Sequence, residues 1–174
     1  MATSCSSFRL AVFNPMTGDM VVLPCLSGQD CPGSYACAIL TGEDLDNHDH
    51  NFFRVLLIYS RPSFTALRCY SSNTAHWGLE RRKPGRKMRQ HTLQQLGHAV
   101  VVGGVAYLPL LWEAFGVRLS DPTTMDVCSV PYMEKGNLPD FRILGVSPDG
   151  KELRALCRCG EKKLVIYIPR SAFL

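Results

Sequence analysis

Apolar residues in this chain fall into short runs of about four to eight, bounded by turn-forming residues, and helical periodicity is scarce. That pattern predicts a mainly β chain. The first unit is Phe8 to Phe13, a turn over Asn14-Pro15-Met16-Thr17-Gly18-Asp19, and Met20 to Pro24. Asn, Pro, Gly and Asp supply the fixed or positive φ values that a hairpin turn requires. A second hairpin joins Phe53–Tyr59 to Phe64–Tyr70 through Arg61-Pro62-Ser63, and Ser71 to Thr74 then turn the chain toward Trp77. A third group holds Ala99–Val102, Gly103-Gly104, Val105–Leu108 and Ala114–Leu119. A fourth holds Phe141–Val146, the turn Ser147-Pro148-Asp149-Gly150, Glu152–Cys157 and Leu164–Ile168. Polar connections are expected over roughly 25–35, 41–51, 78–95 and 120–139.

A weak repeat runs through these hairpins. Phe13 to Met20 and Tyr70 to Trp77 each begin on an aromatic, carry a threonine (Thr17, Thr74) and end on a large apolar residue. A looser copy runs from Leu119 through Thr123 to Met125. The motif predicts hairpins whose two ends pack on one core, and repetition at about 40–50 residues is how propeller blades appear in sequence. An ordinary β-sandwich is the competing architecture.

Four segments, in order, resemble the C-terminal, kelch-type β-propeller region of plant F-box proteins. They are Leu10-Ala11-Val12-Phe13-Asn14-Pro15-Met16-Thr17-Gly18, Cys69-Tyr70-Ser71-Ser72-Asn73-Thr74-Ala75-His76-Trp77, Val100 to Tyr107 around Gly103-Gly104, and Leu144-Gly145-Val146-Ser147-Pro148-Asp149-Gly150. The resemblance implies a non-enzymatic protein-interaction module, the substrate-recognition region of an F-box subunit of a cullin-type ubiquitin ligase. Such a module raises the effective concentration of a target protein near the ligase. About a dozen residues precede the first turn, too few for the three-helix F-box, so binding of a Skp-type adaptor is not carried over.

Length sharpens that expectation. At about 45 residues per blade, 174 residues make at most four units, whereas a six-bladed ring needs roughly 270. Residues 1–174 are therefore expected to form one unit, a partial or open propeller of about three to four antiparallel sheets. Its unpaired edges are expected near Phe8–Phe13 and Leu164–Ile168, with a tendency to self-associate.

Composition is that of a globular chain: 46% hydrophobic and 20% charged, with 19 Lys+Arg against 15 Asp+Glu for a net +4. Eight cysteines are too few for a disulfide scaffold. Met1 to Arg9 has no apolar signal core, and the uncharged stretch Ala99–Trp112 falls short of the about 18–20 residues of a span. A cytoplasmic or nuclear location with free thiols is the expectation, and no membrane partner.

The excess charge is concentrated in Arg81, Arg82, Lys83, Arg86, Lys87 and Arg89. The Arg81–Arg89 segment offers the alternative function, a basic β module binding nucleic acid or another polyanion. Pro84-Gly85 interrupts the run and no aromatic is interleaved for base stacking, so a solvated loop is the preferred reading and nucleic acid is not the expected partner.

Other chemistry is thin. His48 and His50 among Asp44, Asp46 and Asp49 have the spacing of a metal pair on a strand, but a polar loop accounts for them better. Cys25, Cys31 and Cys37 are six apart, wider than ordinary zinc pairs. Cys157 and Cys159, beside Arg154, Arg158 and Lys162, read as core thiols in a strand rather than activated ones. Gly103-Gly104 lacks a following phosphate-binding helix and is expected to permit close backbone approach. Trp77, Trp112, Tyr70 and Tyr107 are expected in the core. No nucleophile elbow or nucleotide loop is present, so no catalytic, cofactor-binding or metal residue is assigned, and the protein partner and its contact residues stay unspecified.

Overall fold

The computed structural model describes residues 8–26, 33–45, 47, 49, 51–83, 85–96, 99–110, 113–121, 124–131, 141–159 and 162–168. Its strands are β1 Ala11–Phe13, β2 Met20–Val22, β3 Tyr35–Thr41, β4 Phe53–Ser60, β5 Thr65–Ser71, β6 His76–Trp77 and β7 Arg81–Arg82. Helix α1, Gln90–Gln95, is followed by β8 Val100–Val102, β9 Val105–Pro109, β10 Glu113–Asp121, β11 Thr124–Pro131, β12 Phe141–Val146, β13 Leu153–Cys159 and β14 Lys162–Ile168.

All described pairings are antiparallel and fall into four sheets taken in chain order. The first is β1–β2, extended by a bridge between Phe8 and Leu26. In the second, β3–β4–β5 is followed along β5 by both β6 and β7. The third orders β8–β9–β10–β11 and the fourth β12–β13–β14. None closes on itself.

Side-chain alternation stacks these sheets. Leu56 and Ile58 of β4, with Leu67 and Cys69 of β5, meet Ala106 and Leu108 of β9 and Phe115, Val117 and Leu119 of β10. The opposite face of β4 turns Val55, Leu57 and Tyr59 toward the first hairpin, where Leu23 and Leu26 close two smaller clusters. The third sheet's other face, with Val105, Tyr107 and Ala114, packs on Leu144, Leu153 and Ala155 of the fourth. A middle sheet covered on both sides explains why Val55 to Tyr59 of β4 are apolar without a break. Arg54 adds a polar tie, since its buried guanidinium donates to the Leu119 carbonyl across the second and third sheets and lies over the Phe52 ring.

Turn chemistry follows the residues. Gly18 sits at φ +80°, Asn14 Oδ1 accepts from Met16 N–H at 3.0 Å, and Asn14 N–H donates to Asp19 O. Gly150 adopts φ +72° while Ser147 Oγ accepts from the Glu152 N–H. Gly103 and Gly104 form the whole two-residue link between β8 and β9, both with positive φ. A primed hairpin turn needs that geometry. Space around Gly103 is open and a Cβ at Gly104 would meet the Asp44 carbonyl at an ordinary 3.7 Å, so the pair is required for its backbone conformation more than for the close approach expected from sequence.

The repeat is a real pairing. Phe13 lies opposite Met20 and Tyr70 opposite Trp77, in each case as cross-strand partners. Only the second copy packs as expected: Tyr70 is buried with its ring 5.6 Å from Trp77, whose Nε1 donates to Pro24 O at 2.9 Å. Phe13 and Met20 are 60% and 64% exposed. In the third copy β10 and β11 do turn back on each other, with Arg118 opposite Asp126 and a register shift beyond it.

Four elements depart from the sequence expectation. β11 occupies part of the span 120–139 assigned to a polar connection, because Met125 and Val127 pack on one core and Cys128 on the next. β3 was not expected: its Ala-Cys-Ala centre has little β character, and burial of Ala36, Ala38 and Leu40 holds it. β7 and α1 lie within 78–95. The helix is too short to be stable alone, and buried Met88 and Leu93 dock it, with the Met88 N–H donating to Thr65 Oγ1 at 2.7 Å.

Candidate functional site

The basic segment is tied down at its start, while Arg86 and Arg89 lie exposed in a loop, as the solvated-loop reading expected. Arg82 and Arg81 pair with Ala66 and Leu67 on the edge of β5, and the Lys83 N–H donates to Thr65 O at 2.8 Å. Aromatic faces take two of the cations, Arg82 over Phe64 at 5.5 Å and Lys83 over Phe115 at 5.0 Å. Burial pulls the Lys83 ammonium below its ordinary value, partly offset by Glu113. Lys87 Nζ reaches Pro62 O at 3.1 Å. Free edge amides on β5 and nearby aromatic faces are what capture the run, and neither is visible in a reading of local charge.

Just upstream, Glu80 binds the end of β4. Its Oε2 accepts from the Tyr59 hydroxyl and from Arg61 Nε at 2.9 Å, and Arg61 stacks 5.0 Å over the Tyr59 ring. Burial pushes the Glu80 carboxyl up, but hydrogen bonds from Arg61 and Tyr59 and the charges of Arg61 and Arg68 outweigh it and hold the carboxyl below its ordinary value. Burial, then Glu80, keeps the Tyr59 hydroxyl protonated well above its ordinary value. This is a clamp between strand ends.

Two recesses flank α1. A shallow one of about 360 Å³ is lined by Ser60, Arg86, Lys87, Met88, Arg89 and Gln90. A groove of about 630 Å³ runs between β3 residues 35–39 and the helix side chains Leu93 and Gln94, continuing to Leu96 and Ala99. Sequence reasoning missed this groove because it missed β3. No polar–apolar alternation marks that strand, because Tyr35 to Leu40 are all apolar and only their burial alternates.

The other candidates separate. His48 and His50 lie outside the described residues, as do Asp46, Cys31 and Trp112. Around the histidines, acidic groups serve as local turn acceptors: Asp44 Oδ2 takes the Thr41 N–H and hydroxyl, and Asp49 Oδ1 takes the Asn51 N–H. No group of three potential metal ligands occurs among the described residues. Cys25 and Cys37 are exposed, while Cys69 is buried and its thiol is pushed up to about 11 by burial, with Arg54 opposing. Cys157 and Cys159 are on β13, and their side chains lie outside the described set. Tyr70 and Tyr107 are in the core as expected. No described helix is long and apolar enough to cross a membrane.

No protein-family model, no curated protein and no solved structure matches the chain.

Proposed function

We propose that this chain is a non-enzymatic protein-interaction module, an open β-propeller segment akin to the substrate-recognition region of an F-box subunit of a cullin-type ubiquitin ligase. One observation carries the reading: successive antiparallel sheets stack face to face in strict chain order, as blades do. The paired Phe13–Met20 and Tyr70–Trp77 hairpins support it as equivalent positions of neighbouring blades. Apolar residues stay exposed at both ends of the stack, Phe13, Met20, Val21 and Val22 at one and Ile143 and Val146 at the other. Such surfaces mark contacts with another protein, or with further blades. A Skp-type adaptor is not part of the proposal. The setting is cytoplasmic or nuclear, and the role is to hold a target protein without altering it.

Affinity capture with the full chain tests this, expecting a protein partner that survives elevated salt. The polyanion alternative expects instead oligonucleotide binding that falls steeply with salt and with charge reversal of Arg81, Arg82 and Lys83. Recovery of no stable protein partner contradicts the interaction reading.

A further inference from the structure

We propose that the outer edge of β3 is a strand-addition site for an extended peptide of another protein, acidic at one end and alternating apolar along its length. The proposal rests on the interaction-module reading and names the surface and the chemistry of what it holds.

β3 ends its strand order, so one of its edges faces no described strand. The Ser60 N–H donates to Ser34 O, which sets the parity of the ladder. Residues 34, 36, 38 and 40 turn their backbone groups toward β4, and 35, 37, 39 and 41 turn theirs away. Thr41 is already capped, its N–H donating to Asp44 Oδ2 at 2.7 Å. Tyr35, Cys37 and Ile39 are left presenting N–H and C=O groups outward along a stretch that fits a short strand.

Protein edges are ordinarily blunted by lysine, proline or a bulge. Tyr35–Thr41 contains no lysine or proline, and its pairing with β4 runs without a register break. The groove of about 630 Å³ lies along this edge, with Leu93, Leu96 and Ala99 as its apolar wall. Alternate side chains of an added strand would face that wall while their neighbours join the exposed Tyr35 and Ile39. At the Tyr35 end, Ser60, whose N–H donates to Ser34 O, also lines the recess of Arg86, Lys87 and Arg89. That local charge, on a chain of net +4, selects an acidic occupant and fixes which end of it lies there.

The test pans a random-peptide display library against the full chain, then titrates the enriched peptide into wild type and variants. The expected consensus has acidic residues preceding or following an alternating apolar stretch. N-methylation of the peptide at its pairing amides, which leaves the protein untouched, is expected to weaken binding by about tenfold or more. Cys37→Pro is expected to do the same with an unchanged denaturation midpoint, since the lost N–H points away from β4. Reversal of Arg86 and Arg89 to Glu is expected to weaken binding several-fold and flatten its salt dependence. A consensus without acidic residues, or affinity indifferent to N-methylation and to Cys37→Pro, overturns the proposal. So does a dimer of this chain that Cys37→Pro dissolves, which would assign the edge to a second copy. A protein partner captured equally well by Cys37→Pro overturns the groove but leaves the interaction reading intact, whereas finding neither peptide nor partner removes both.

Discussion

Truncating Phe115 to alanine tests whether the second and third sheets form one core. The ring is 1% exposed, lies on β10 opposite Leu108 of β9, and joins the cluster containing Leu56, Ile58 and Leu67. Removing it loses the transfer free energy of the ring and leaves a cavity that two strand-paired sheets cannot collapse, a cost of about 3–5 kcal/mol. The Lys83 ammonium, 5.0 Å over the ring and half-buried, also loses its aromatic partner, adding about 0.5–1 kcal/mol. A domain of this size is stable by about 5–15 kcal/mol, so the loss is a large share. Urea denaturation reads it directly. At an m-value of about 2 kcal/mol per molar, the midpoint falls by about 2 M with the slope unchanged. Phe13→Ala is the matched control, because its ring is 60% exposed and its removal should change stability by less than about 0.5 kcal/mol. A Phe115→Ala midpoint within about 0.3 M of that control would show that the sheets do not pack as described.

Gly116 lies between Tyr107 and Cys128 in the ladder, and a Cβ there would meet Cys128 Sγ at 2.6 Å and Tyr107 Cε1 at 3.0 Å. The thiol can rotate but the buried ring cannot, so Gly116→Ala should cost about 1–3 kcal/mol by thermal denaturation, and Cys128→Ala should recover part of it. Glu80 titrates lower in the folded chain than in the unfolded one, so its contribution is complete above the ordinary carboxylate value and is lost as pH falls through the folded value. Glu80→Gln should therefore cost about 1–2 kcal/mol at neutral pH and converge with wild type in acid; a deficit independent of pH would refute the clamp. Maleimide should label Cys25 and Cys37 in the native protein and reach Cys69 only on unfolding, and prompt native labelling of Cys69 would contradict its burial.

The hairpins were legible in the sequence because their turns are chemically explicit. Asn14 to Asp19 and Ser147 to Gly150 contain the residues whose side chains and positive φ values make the bends. The largely apolar runs Phe53–Tyr59 and Val105–Leu108 likewise announced strands covered on both faces. Edges were harder to see. β3 and β11 are held by a neighbour on one side, so half of each is polar or small and resembles a linker. The anchoring of Arg81 to Lys83 was hidden for a related reason: its partners, the open edge of β5 and the rings of Phe64 and Phe115, are not part of the run. The groove beside β3 needed both missed elements, β3 and α1, and no local motif encodes it.

The central claim is that this stack of sheets works by holding another protein. Affinity capture with the full chain across a salt series, with nuclease treatment and quantitative mass spectrometry, tests it most directly. The expected result is a protein partner enriched over an unrelated β protein of equal charge, retained at high salt and after nuclease. Recovery of nucleic acid alone, released by salt, or of no partner above that control would contradict it.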